Sequence, residues 1–186
     1  LVGNSQSPAA AISPIRQVDF IVDTQAPAAP SASADHSDGN VTSSTDQSVS
    51  FGGEDFATFI CSIDGGTYTS CSSPLNLSGL TDGDHTVAIK QTDRATNDST
   101  ASTIAWKVDA TAPAAPSVSG IGTTSGDPEL TASNSNVVTF SGEEGATFEC
   151  SLNGGAWEPC TSALNYSLLS DGDYNVTIRQ TDAAGN

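Results

Sequence analysis

Positive charge is scarce in this chain. Five Lys and Arg stand against 22 Asp and Glu, a formal charge of −17 over 186 residues. Such a surface repels phosphate backbones and anionic headgroups, which excludes nucleic acid and an acidic membrane face as partners. Long apolar runs are missing as well. No stretch approaches the roughly 20 residues that a membrane helix needs, and no leader segment is recognisable, so membrane insertion is not expected and the sequence reads as a mature or excised soluble piece. Methionine is absent and His occurs twice. His36 and His85 stand alone in polar stretches and read as solvent-facing, and with the cysteines they complete no tetrahedral zinc set. Glycine, by contrast, is frequent, and Ser, Thr, Ala, Asp and Asn dominate the rest. That profile predicts many short strands joined by turns, not helices.

What the chain does have is repetition. Phe51, "GE" at 53–54, "ATF" at 57–59, Cys61, Gly65–Gly66, Cys71, "DGD" at 82–84, "QTD" at 91–93 and Asn97 recur in order, 89 residues later. The second set is Phe140, Gly142–Glu143, "ATF" at 146–148, Cys150, Gly154–Gly155, Cys160, "DGD" at 171–173, "QTD" at 180–182 and Asn186. About half of the aligned positions are identical, the mark of a tandem duplication. Each unit is large enough for a modest hydrophobic core. Alternation of apolar and polar residues places strands at 48–53, 57–63 and 85–93, with counterparts in the second copy. Val87 and Ile89 share one face; Ala88 and Lys90 share the other. Asp64-Gly65-Gly66 and Asn153-Gly154-Gly155 read as hairpin turns, and Asp82-Gly83-Asp84 and Asp171-Gly172-Asp173 as turns of the Asp-Gly kind.

The four cysteines form one local pair per repeat. Even numbers at matched places imply disulfides Cys61–Cys71 and Cys150–Cys160, hence an oxidising, extracellular or periplasmic setting. No His and acid recur beside a serine in both copies, so no catalytic machinery is visible and no enzyme is expected.

A second pattern marks the seam. "AWKVDATAPAAPSVS" at 105–119 closes the first repeat and opens the next, and "DFIVDTQAPAAPSAS" at 19–33 nearly duplicates it. Its prolines hold the chain extended and make a short, stiff connector. Phe20 and Val22 match Trp106 and Val108, so residues 12–22 read as a final strand that belongs before residue 23. The division is therefore 1–22 as a final-strand-like segment, 23–109 as repeat 1, and 110–186 as repeat 2 without its own final strand. Two explanations fit: an excised piece of a longer array, or donation of Ile12, Ile15, Val18, Phe20 and Val22 to the trailing repeat of a neighbouring copy.

The "DGD-(H/Y)" turn, the "TDxxxN" after a strand and the "VDxxAPxAP" seam resemble the bacterial immunoglobulin-like repeats of large surface adhesins. The resemblance spans nearly the whole chain and implies an all-β fold: two tandem immunoglobulin-like antiparallel sandwiches, the second incomplete. It also implies an extender role at the cell surface, with neighbouring copies or adjacent repeats as partners, and calcium at the junctions. In that arrangement Asp109 lies near Asp82 and Asp84 below and Asp182 and Asn186 above, and Asp23 meets Asp93 and Asn97. Converging oxygens of this kind suit calcium. Asp and Asn at strand ends also cap turns through their own backbone, and that reading stands beside the metal. The rival function is a module binding glycan or protein. It would break the repeat symmetry with an aromatic-rich loop in one copy, whereas the largest difference, 120–130 against 34–39, lacks aromatics.

Overall fold

A computed structural model describes residues 16–36, 39–119 and 131–186. The first unit contains β1 (Ser31–Ala34), β2 (Val41–Thr42), β3 (Gln47–Gly52), β4 (Thr58–Ile63), β5 (Thr69–Cys71), β6 (Leu75–Leu77), β7 (Gly83–Thr92) and β8 (Ser102–Val108). The second contains β9 (Ser117–Ser119), β10 (Asn136–Ser141), β11 (Thr147–Leu152), β12 (Glu158–Pro159), β13 (Leu164–Tyr166) and β14 (Val176–Thr181). No helix occurs among the described residues. The chain is an all-β protein of immunoglobulin-like sandwiches.

In the first unit β1–β3–β6 form one sheet and β2–β8–β7–β4–β5 the other. Apolar side chains at alternate positions of β3, β7 and β8 turn inward, because successive residues of a strand face opposite sides. They gather Val49, Phe51, Cys61, Val87, Ile89, Ile104, Trp106 and Val108 into one buried cluster. Ile104, Trp106 and Val108 all come from β8, and burial of such side chains is worth about 1.5–3 kcal/mol each.

The hairpin turns form as the sequence predicts. Asp64 and Gly65 both have positive φ (48° and 72°), as do Asn153 and Gly154 (52° and 70°), the backbone that a type I′ turn requires. Cys61–Cys71 and Cys150–Cys160 are both bonded, with Cα atoms 5.8 Å apart in each. Each ties neighbouring strands of one sheet, β4 to β5 and β11 to β12.

The second unit repeats the first, strand for strand, up to a point. β14 pairs with β11 from Thr147↔Thr181 to Leu152↔Val176, the register of β4 on β7 shifted by 89. The outer edge of β14 has no partner among the described residues, whereas β7 carries β8 from Gly83↔Val108 to Ile89↔Ser102. Val176 and Ile178 are therefore only half-buried, where Val87 and Ile89 are fully buried.

One sequence expectation needs correction. Gly83 and Asp84 belong to β7 and not to a turn, because β8 is long enough to pair with them. In the second copy, where no such partner lies among the described residues, Asp171–Asp173 lie outside any strand. Residues 16–22, read from the sequence as a strand for another repeat or copy, lie outside any strand and have no partner among the described residues. Val18, Phe20 and Val22 are 80%, 82% and 73% exposed; Ile12 and Ile15 lie outside the described residues.

Candidate functional site

The two seams carry matching sets of local and non-local hydrogen bonds. After β8 the chain turns at Asp109, whose Oδ1 accepts the Thr111 amide at 3.3 Å; Asp23 Oδ1 accepts the Gln25 amide at 3.0 Å in the same way. Both are Asx turns, set by the short carboxylate two residues before the amide.

Above each seam a loop presents an asparagine. Asp93 Oδ1 accepts the Asn97 amide at 2.9 Å and Asp93 Oδ2 accepts Asn97 Nδ2–H at 2.9 Å. So oriented, Asn97 Nδ2 also donates to the Asp23 carbonyl at 3.2 Å. In the second copy Asp182 Oδ1 accepts from the Ala184 and Asn186 amides at 2.9 Å, and Oδ2 accepts from Asn186 Nδ2 at 3.0 Å. Asn186 Nδ2 then donates to the Asp109 carbonyl at 2.6 Å. These donors hold the carboxyls of Asp93 and Asp182 below the usual carboxylate range, the asparagine side chain contributing most in each.

From below, Asp82 caps the same seam. Its Oδ1 accepts the Ala110 amide at 2.8 Å and its Oδ2 accepts Thr111 Oγ1–H at 2.5 Å, which also lowers its pKa, Thr111 first. The Ser43 amide donates to the Ala184 carbonyl at 3.2 Å, a direct bond from the first unit to the second. The structure thus brings Asp82, Asp109, Asp182 and Asn186 into one hydrogen-bonded chain, and Asp23, Asp93 and Asn97 into its counterpart. Asp84 stands apart: it is exposed, opposite Lys107 in the β7–β8 ladder.

Among the described residues no three His, Cys, Asp or Glu side chains gather closely enough to hold a metal ion. The seam carboxylates accept N–H and O–H donors.

A second latch lies one step further along each seam, and its residue was not singled out from the sequence. Gln91, buried at the end of β7, accepts the Glu54 amide through Oε1 at 2.9 Å and donates from Nε2 to the Ala28 carbonyl at 2.8 Å. Gln180 does the same with Glu143 (2.9 Å) and Ala114 (2.5 Å). A Cβ at Gly53 or at Gly142 would stand 1.9 Å from the glutamine Oε1, so a larger residue there would push the glutamine amide off its backbone partners. Removing the Gln91 amide loses both hydrogen bonds to the exposed residues Glu54 and Ala28, about 0.5–1.5 kcal/mol each. The signal was present: "QTD" occurs in both copies, and position 91 lies on the same face as Val87 and Ile89.

His85 also departs from expectation. It is buried, with Nδ1 2.9 Å from Asp64 Oδ2 and Nε2 2.8 Å from the Thr81 carbonyl, and it stacks on Trp106 at 5.8 Å. The period-2 run His85–Val87–Ile89 turns it inward. The second copy has Tyr174 and Asn153 at these positions. Tyr68 and Trp157 cover the outer sheet face, under Lys90 at 4.8 Å and Arg179 at 4.4 Å respectively.

No protein-family model matches the sequence, and no curated protein sequence matches it. Among solved structures the chain is similar to the fibronectin(III)-like modules of Clostridium thermocellum CbhA, at 11% identity over 83% of this chain and 87% of that one, with a TM-score of 0.42. It is also similar to the central fibronectin-III array of RIM-binding protein, at 12% identity over 86% of this chain and 64% of that one, with a TM-score of 0.32. At these scores the sandwich assignment rests on the sheets described above.

Proposed function

We propose that this chain is a mechanical spacer, a pair of immunoglobulin-like repeats in an extracellular stalk or surface filament of the adhesin-extender kind. The observation that carries the reading is the seam clasp built twice from the same residue types, Asn186 on Asp109 and Asn97 on Asp23. A clasp that bonds backbone to backbone-bound side chain fixes how one unit follows the next, which is what a stalk needs. Two local disulfides supply the covalent reinforcement common in small extracellular domains.

The open edge of β14 extends the reading to end-to-end assembly, because an uncovered edge of this kind pairs readily with another strand. The rival, a glycan- or protein-binding module, has little to work with. The exposed aromatics Tyr68 and Trp157 each lie under a cation of their own unit, in the same way in both copies. Calcium is the other source of junction stiffness, and solution scattering separates it from the clasp. On the clasp reading the scattering envelope is elongated and the same with calcium or with chelator, and Asn186→Ala widens its spread of sizes. Elongation that appears only with calcium would transfer the stiffness to the metal, and a compact envelope in both would end the spacer reading.

A further inference from the structure

We propose that the outer edge of β14 is the seat for residues 16–22 of a second copy, in the register that β8 holds on β7. The inference rests on the spacer reading and adds the partner and its alignment.

The seat is the outer edge of β14, which has no partner among the described residues where β7 carries β8. On β7, β8 sets Ile104 opposite Val87, Trp106 opposite His85 and Val108 opposite Gly83. Those three β8 side chains close the core of the first unit. In the second unit the corresponding face, around Val176, Ile178 and Tyr174, is only partly covered.

The occupant is written 86 residues before β8. Val18, Phe20 and Val22 correspond to Ile104, Trp106 and Val108. They alternate with Gln17, Asp19 and Ile21, and all three are largely exposed. Transposing the β7–β8 register sets Val18 opposite Val176, Phe20 opposite Tyr174 and Val22 opposite Gly172. Phe20 then meets Tyr174 as Trp106 meets His85.

The exit from the seat agrees independently. Beyond β8, Asp109 makes an Asx turn and Asp82 caps Ala110 and Thr111. Beyond residue 22, Asp23 already makes the same Asx turn with Gln25. Thr24 and Gln25 then fall against Asp171, the counterpart of Asp82, with an amide and a side-chain donor to offer. The junction between copies would repeat the junction within one.

A chain cannot fill its own seat. Val22 at Gly172 would put Asp23 beside Asp171, at the end of the second unit away from its Asn186 clasp. Asp23 is instead held by Asn97 on the first unit, and one peptide step of about 3.8 Å does not cover two sandwiches.

The test is directed cross-linking of the whole chain with its native disulfides intact. The register pairs Asp19 with Asn175, so Asp19→Cys with Asn175→Cys should oxidise to a ladder of covalent multiples. Asp19→Cys with Thr177→Cys, two residues out of register, should give a ladder at least about tenfold weaker, as expected for diagonal neighbours. Sedimentation of the unsubstituted chain should show concentration-dependent association. Val18→Asp with Phe20→Asp, both outside either core, should weaken it about a hundredfold or more, the loss expected for two central anchors. Equal ladders from both pairs would overturn the register. A chain that stays monomeric at every concentration, with scattering still elongated, would overturn strand exchange and leave the spacer reading standing; monomers with a compact envelope would remove both.

Discussion

His85 holds both ring nitrogens against acceptors, a carboxylate on one side and a carbonyl on the other. Only the imidazolium can donate to both. The Thr81 carbonyl raises its pKa most, burial opposes, and Asp64 and Asp84 add to the rise. Asp64 is pushed up by burial, but the Thr86 amide and His85 outweigh this and hold it low. The signs follow from linkage. A raised histidine contributes stability that is complete below its ordinary value near 6.5 and is lost as pH rises through the folded value. A lowered aspartate contributes stability that is lost as pH falls through its own folded value. Denaturation of the first unit, followed across mildly acidic to mildly alkaline pH, should show stability falling on the alkaline side. His85→Gln should flatten that fall, and an unchanged slope in the variant would reject the assignment. A histidine in a polar stretch gives no hint of this alone; its place in the alternating run does. Gln91 was harder to foresee, because its partner Ala28 lies 63 residues away.

The long strands were legible because their alternation is strong: 48–53, 57–63 and 85–93 overlap β3, β4 and β7 closely. β1 and β2 were not. Ser31–Ala34 is built of small residues with no apolar pattern, and it pairs with β3 because the seam before it is pinned by Gln91 and by Ser102 Oγ–H on the Pro30 carbonyl at 2.7 Å. Val41–Thr42 is too short to announce itself and exists through its parallel pairing with β8. Both are strands made by their neighbours. The disulfides were legible from spacing, and their weight can be measured. Closing a loop of this size is worth about 2.5–3 kcal/mol on the chain-entropy model. Among the described residues the second unit's buried apolar side chains are Val138, Phe140 and Cys150, so reduction should unfold it first. Each unit has one tryptophan, Trp106 and Trp157. Under reducing conditions the Trp157 signal should therefore change at lower denaturant than that of Trp106. Coincident transitions, or the reverse order, would contradict the asymmetry.

Across the described residues the duplication keeps its register, β14 lying on β11 as β7 lies on β4, shifted by 89. The tandem organisation and the seam were legible because they are written as repeated words. Which atoms make the seam was less so: the sequence brings Asp109 near Asp82, Asp182 and Asn186, but in the structure their oxygens meet amide and hydroxyl donors. That shift follows from the asparagine, whose Nδ2 can donate to a carbonyl and a carboxylate at once. On the proposed spacer reading stiffness comes from the clasp, and that reading stands or falls on it. Residual dipolar couplings measured separately for the two units of the 186-residue chain test it most directly. One alignment tensor should fit both units, and Asn186→Ala should split it in two. Separate tensors already in the unsubstituted chain would show units that swing freely, contradicting the account.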